Sequence, residues 1–221
     1  MSDEGKERVR YYAGLDLGQP GQFSALAVLE KRGVPTKWGY EPDATYAVRH
    51  MVRFPPGAPY SQVVDAVRAV FATPPVNDGI LVVDQTAVGK EVFQLVRDAD
   101  TGASVHGVTI TAGNAAQPDE RGGWLVPKKD LAGTLQVLLQ GKRIKVAETL
   151  EYARTLVEEL QQFQLKTVRL TQDATIEWRE RPHDDLVLAV AIAAWQAEQY
   201  FPFFLEVVSL PRPSEPRWWR P

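Results

Sequence analysis

Three short segments, far apart in the chain, each put a carboxylate where an apolar run ends or begins: Gly14-Leu15-Asp16-Leu17-Gly18, Val82-Val83-Asp84-Gln85-Thr86 and His183-Asp184-Asp185-Leu186-Val187. The first two aspartates lie in or at the end of strand-like runs, and the third pair opens an apolar helix. A fold that sets strand ends against a helix start would gather all four. Clustered carboxylates repel one another, and a divalent cation relieves the repulsion. Aspartate oxygens are hard ligands suited to Mg2+ or Mn2+. Two such ions about 3.5–4 Å apart can activate water and stabilise the leaving oxygen of a phosphodiester. Asp16, Asp84, Asp184 and Asp185 are therefore the candidate catalytic and metal-binding residues, and metal-dependent nuclease chemistry is the reading they support.

Each of these residues also has a plainer role open to it. Asp16 precedes a glycine turn and could serve as a turn former. Asp84 sits where open α/β sheets bind ligands, at the carboxyl end of a strand, but the same place suits a helix cap. Asp184 or Asp185 could satisfy free helix amides and the helix dipole, a stabilisation of about 0.5–2 kcal/mol. One aspartate is enough for that; its neighbour points roughly 100° away around the axis, so the pair can cap and ligate together. His183 reads first as a cap or loop residue and second as a phosphate donor. Arg121, Lys128, Lys129, Lys142 and Arg143 fall near one loop and helix start and form the candidate DNA-phosphate track, with solvated surface charge the alternative for each. Trp124 could meet a sugar or base, or pack beneath its loop.

The elements that must position these groups follow from periodicity and breakers. Tyr11 to Leu17, Phe23 to Glu30 and Thr45 to Phe54 read as strands, the first two joined by the turn Gly18-Gln19-Pro20-Gly21. Tyr60 to Phe71 is helical, with Val63, Val64, Val67, Val70 and Phe71 in helical period and Thr73-Pro74-Pro75 as a stop. Gly79 to Asp84 is a continuous apolar run, as in a strand buried on both faces. Val88 to Arg97 reads as a helix, Ser104 to Thr109 as a strand and Ala112 to Gly123 as a polar loop. Lys128 to Leu139 is a helix with Pro127 at its start, and Arg143 to Val146 a short strand. Glu148 to Phe163 is an amphipathic helix with Leu156, Val157, Leu160 and Phe163 on its apolar face. Leu165 to Leu170 and Thr175 to Trp178 suggest a hairpin, and Asp184 to Trp195 a buried helix. The expected fold is α/β, a central mixed sheet of antiparallel hairpin strands plus parallel strands flanked by helices. Residues 1–10 read as a flexible leader, 11–200 as one domain and 201–221 as a tail rich in Pro and Trp. Trp218 and Trp219 in that tail could be a partner motif, an unstructured end being the plainer expectation.

Composition narrows the class. A chain of 221 residues with 44% apolar content can bury a sizeable core. It has no cysteine, which excludes disulfides and thiolate metal sites and leaves His50, His106 and His183 as the imidazoles. A net charge of −3 and a pI near 5.7 argue against a purely electrostatic nucleic-acid binder, though a catalytic acidic cluster itself counts toward the negative total. No run approaches the roughly 18 apolar residues of a membrane span, and the charged Met1-to-Arg10 segment is no secretory signal, so a soluble, intracellular protein is expected. GxxxxGK[ST], HExxH and GxSxG patterns are missing from the sequence.

These segments resemble the nuclease domain of a tailed-bacteriophage terminase large subunit, a member of the ribonuclease H-like superfamily. The resemblance spans Tyr11 to Trp195. It rests on Gly-Leu-Asp-Leu-Gly in the first strand, Val-Val-Asp-Gln-Thr after the fourth, Val126-Pro127-Lys128-Lys129-Asp130-Leu131 at a helix start, and His183-Asp184-Asp185-Leu186-Val187-Leu188-Ala189 at the last helix, which is the most specific. It implies that Asp16, Asp84 and Asp184 match the family's metal-binding carboxylates, with Asp185 an adjacent fourth. It further implies cleavage of double-stranded DNA during genome packaging with two divalent ions. A packaging ATPase, portal or small terminase subunit would then be partners, although the ATPase phosphate loop is not in this sequence. A Holliday-junction resolvase, built on the same scaffold and acting on branched DNA, is the nearer alternative. An actin-like or sugar-kinase ATP-binding domain is the more distant one, because it would not explain an Asp-Asp pair opening the last helix.

Overall fold

The computed structural model describes residues 6–36, 39–86, 89–120, 122–170 and 184–199, with the backbone alone for 89–91 and 164–170. Arg121, His183, the Thr175-to-Trp178 strand and the tail from residue 201 lie outside the described residues.

The chain runs β1 (Arg8–Asp16), β2 (Ser24–Gly33), β3 (Thr45–Phe54), α1 (Tyr60–Phe71), β4 (Ile80–Asp84), α2 (Gly89–Arg97), β5 (Ser104–Thr111), β6 (Gln117–Pro118), β7 (Trp124–Pro127), α3 (Lys128–Gln140), β8 (Ile144–Val146), α4 (Ala153–Leu170) and α5 (Asp185–Glu198). The strands form one mixed sheet in the order β6-β7-β5-β4-β1-β2-β3-β8. β1, β2 and β3 are joined as antiparallel neighbours, while β4, β5 and β7 add in parallel beyond β1.

Strand alternation then sorts the side chains. Ala13, Leu15, Leu26, Val28, Leu81 and Val83 point into one core with Val63, Val64, Val67 and Phe71 of α1. Tyr12, Ala25, Ala27, Leu29 and Val82 point into the other, against α3, α4 and α5. Because side chains alternate along a strand, Asp16 follows Tyr12 and Gly14 onto the α5 face, and Asp84 follows Val82 onto it as well.

α5 is the central helix. Nearly every residue from Asp185 to Ala197 is buried, as an all-round apolar helix must be. Its small side chains, Ala189, Ala191, Ala193 and Ala194, let it lie close to the sheet. Among the described residues no helix is long and apolar enough to cross a membrane.

Several expectations change. Arg8, Val9 and Arg10, expected in a leader, pair with Gly33, Arg32 and Lys31 as the start of β1. The loop expected from Ala112 to Gly123 contains β6, which pairs with β7, and β7 itself was not expected. The helix expected from Glu148 starts at Ala153, and the strand expected from Leu165 to Leu170 is instead the last part of α4. On that helix Val157 is exposed while Glu159 is buried, so the inward face carries a carboxylate where an apolar residue was expected.

Candidate active site

Asp16 and Asp84 end adjacent parallel strands. Gly14 pairs with Val82 and Leu15 with Val83, so the two carboxylates are next in register, on strands spaced about 4.8 Å apart. Asp16 also pairs with Ala25 of β2, and Ala25 with Arg53 of β3. A transverse row of Asp84, Asp16, Ala25 and Arg53 therefore crosses four strands beneath the start of α5.

Arg53 is in that row because β3 is bulged. Pairing of β2 with β3 slips between Val28 and Leu29, which oppose His50 and Val48 and leave Arg49 extra. One added residue inverts the alternation beyond it: Tyr46 and Val48 face α5, and so does Met51, and hence Arg53.

Asp84 is locked in place. Its Oδ1 accepts the Thr86 amide at 2.8 Å and the Thr86 hydroxyl as well. The Thr86 Oγ1 in turn accepts the Ile110 amide of β5 at 2.7 Å. Behind it, Gln85 fills a recess between Gly107 and Gly123, where a Cβ on Gly107 would come within 1.9 Å of its amide nitrogen.

Asp184 occupies the N-cap position of α5, yet its side chain makes no capping hydrogen bond. It turns instead toward Lys128 at the start of α3, 3.4 Å from the ammonium. The amide of Val187 is satisfied by Glu159, whose Oε2 accepts at 3.0 Å. Capping is thus assigned to a residue of another helix, and the Asp184 carboxylate is left for other work. Asp185 is buried and paired with Arg53.

The electrostatics single out Asp16. Burial pushes its carboxyl well above the usual range, and the charges of Asp84, Asp185 and Asp184 push the same way, with Lys128 acting against them. Burial raises Asp84 too, partly offset by the Thr86 hydrogen bonds. Glu159 is raised to about 7, first by burial. A folded-state value above the ordinary one means stability that is full below about pH 4.5 and lost as pH rises through about 7. Glu159→Gln, which still accepts the Val187 amide, is accordingly expected to raise the melting temperature at pH 7.5 in EDTA and leave it unchanged at pH 4. A fall at pH 7.5 would show that the charge of Glu159 is needed by Arg53.

The donor set suits a hard divalent cation, since the charges of Asp84, Asp185 and Asp184 all act on the half-buried carboxyl of Asp16. As the side chains stand, no three His, Asp or Glu among the described residues enclose an ion, because Asp184 and Asp185 are turned to Lys128 and Arg53.

The expected phosphate track is only partly assembled. Lys128 is at the carboxylates, and Lys129 is beside it, bonded to Asn114. Lys142 and Arg143 are elsewhere: Arg143 binds Glu198 at 2.7 Å and the Ala44 carbonyl at 2.7 Å, at the far end of α5, about 20 Å from its start. Trp124 packs edge-on against Trp195, centroids 5.9 Å apart, which favours the packing role. His50 and His106 lie on β3 and β5, His106 bonded to Ser104. Arg53 and Glu159 were not among the expected site residues. Their signals were faint: an off-phase strand after Arg49-His50, and a glutamate on the stripe of Leu156 and Phe163.

No protein-family model and no curated protein sequence matches the chain. Among solved structures, the large terminase nuclease from thermophilic phage G20c is similar at TM-score 0.51 and 18% identity, over 85% of this chain and 82% of that one. The g2p (large terminase) nuclease domain from bacteriophage SPP1, with bound Mn, gives 0.45 and 10% over 85% and 86%. RuvC of T. thermophilus in complex with Holliday junction substrate gives 0.29 and 13% over 85% and 93%. At 18% identity the first likeness is one of fold: with the sheet order described above, the chain has an α/β fold of the ribonuclease H-like kind.

Proposed function

We propose that the protein is a divalent-metal-dependent DNA endonuclease, with Asp16, Asp84 and Asp184 as its ion-facing carboxylates and Asp185 completing the acidic cluster. One observation carries the reading: Asp16 is half-buried at a strand end, where the charges of Asp84, Asp185 and Asp184 all act against its ionisation, a position that is electrostatically unfavourable unless a cation is bound. Mg2+ or Mn2+ held there, as two ions, would supply the positive charge and water activation that phosphodiester hydrolysis needs.

The chain's own residues define the rest. Thr86 fixes the direction of the Asp84 oxygens through two hydrogen bonds. Lys128, close enough to Asp184 to exchange between carboxylate and phosphate, would neutralise a phosphodiester entering beside α3. Lys129 would extend the contact along the backbone, and Arg121 is a further candidate. Double-stranded DNA is the proposed substrate, and the fold likeness to a phage large terminase nuclease favours a place in DNA packaging, with a packaging ATPase, portal or small terminase subunit as partners.

The test is cleavage of supercoiled plasmid in Mg2+, Mn2+ or EDTA by the native chain, Asp16→Ala and Asp184→Ala at one salt concentration, with a four-way junction run in parallel. Metal-dependent nicking and linearisation by the native chain, lost in both variants, is expected. Cutting of the junction alone would move the substrate to branched DNA, and cutting that persists in both variants would overturn the site.

A further inference from the structure

Asp185 differs from the other three aspartates in having both oxygens taken by one guanidinium. Arg53 Nε donates to Oδ2 at 2.8 Å and Nη2 to Oδ1 at 2.6 Å. Bidentate charge-assisted pairs of this kind are the strong ones, and this one is enclosed, with the Arg53 side chain 13% exposed and that of Asp185 6%. Arg53 is held on its other sides too. The Phe23 ring lies 4.0 Å from its guanidinium carbon, and Glu159 Oε1 is 3.5 Å away. The second oxygen of Glu159 receives the Val187 amide of α5. β3, α4 and α5 are thereby tied at one point, and the β3 bulge is what aims Arg53 there.

Resting on the nuclease reading above, we propose that Arg53 is a positioning residue and Asp185 its anchor, not a metal ligand, so that the ion-facing set is Asp16, Asp84 and Asp184. Ligation by Asp185 would leave a guanidinium buried between Phe23 and Glu159 without its bidentate partner, an outcome proteins avoid. Asp184 is under no such constraint, because its partner is a single, longer contact to the flexible Lys128 side chain. Successive helix residues point roughly 100° apart, so clamping Asp185 toward β3 directs Asp184 away from it. A ligand must be held within about 0.5 Å of its working place, and the clamp at the first turn of α5 provides that for Asp184.

The experiment follows the arginine Nε–H resonances and the backbone amides of the nitrogen-15-labelled full chain during titration with Mg2+, the Arg53 signal being assigned by its loss in Arg53→Lys. Saturating Mg2+ should shift the amides of Leu17 and Gly18 while the Arg53 Nε–H stays slowly exchanging and unmoved. Migration of that resonance to the position of solvent-exposed arginines would overturn the proposal. If Mg2+ moves no amide, the metal reading is what falls and Asp185 remains a tie between β3 and α5.

A second arm uses the charge-neutral double variant Arg53→Met/Asp185→Leu. Its Mn2+ affinity, measured by calorimetry, should fall by no more than about fivefold, since a packed apolar pair still ties β3 to the first turn of α5 but without the fixed aim of the ion pair. Asp184→Asn should weaken binding about tenfold or more. A comparable loss in a folded double variant would make Asp185 a ligand and overturn the proposal; if the double variant does not fold, the resonance titration decides.

Discussion

Asp16→Asn is expected to raise the melting temperature of the metal-free protein at pH 7.5 while removing its metal-dependent cleavage. The carboxyl of Asp16 is raised well above its ordinary value, first by burial and then by Asp84, Asp185 and Asp184. A group raised in the folded state contributes stability that is fully present below its unfolded value, near pH 4, and lost as pH rises through its folded value. At neutral pH without metal the native chain is therefore held below its own potential stability. Asparagine keeps the shape and removes the charge, so the loss on going from pH 4 to pH 7.5 should shrink.

Metal reverses the ranking. An ion that binds only the folded state stabilises it by about 2.7 kcal/mol at one hundred times its dissociation constant, and the native chain should gain this while the variant does not. Cleavage by Asp16→Asn should fall about a hundredfold or more, since even outer partners of metal ligands are worth about 10–100-fold. Scanning calorimetry of both proteins in EDTA and in Mg2+, at pH 4 and 7.5, reads all four states. Destabilisation of the variant at pH 7.5 in EDTA would mean that Asp16 is a structural acceptor, and the reading of the cluster as a cation site would fail. Stability given up at a point that gains function when loaded is a recurrent compromise at active sites.

The features legible in the sequence were those that span a whole element. The unbroken run Ile80-Leu81-Val82-Val83 fits a strand buried on both faces, and the apolar stretch after Asp185 fits a helix packed on all sides. Asp16, Asp84, Asp184 and Asp185 stand out in the sequence because each marks the end of such an element. Features a few residues long were not legible. β7 has four residues, only two alternations, too few to stand out between the loop and the helix on either side. Thr167 and Val168 favour a strand by β-branching, yet α4 continues through them, its upstream turns already packed through Leu156 and Phe163. Arg53 and Glu159 depend on register. Arg53 reaches α5 only because one extra residue at Arg49 shifts the alternation, and Glu159 is tolerated inside only because the Val187 amide and Arg53 are there to meet it. Neither partner is near in sequence. Lys142 and Arg143 show the reverse, since their proximity in sequence to Lys128 is undone in space by the thirteen-residue helix α3.

Gly14→Ala is expected to be the most damaging single methyl in the molecule, lowering stability by about 3 kcal/mol or more, toward and beyond the upper end for overpacking. For a chain of this length that is about 6–12 °C in melting temperature. A Cβ at Gly14 would lie 1.9 Å from the Ala189 carbonyl oxygen and 2.9 Å from Ile192 Cγ1. The first obstacle is backbone, so no rotamer change relieves it, and α5 must move off β1. That movement acts on the site, because Gly14 is two residues from Asp16 on the same face and Ala189 is a little over one turn from Asp184. Lifting the helix withdraws Asp184 from Asp16, so cleavage should be lost even at temperatures where the variant is fully folded, and added Mn2+ should not restore it. Gly133→Ala is the control: nothing lies within 4 Å of its Cβ, it sits inside α3, and the exchange should stabilise by about 0.4–1 kcal/mol with cleavage unchanged. A Gly14→Ala protein that melts within about 1 °C of native would show that α5 can yield at no cost, and the close approach of Gly14 to Ala189 would no longer explain how the helix start is held over the strand ends.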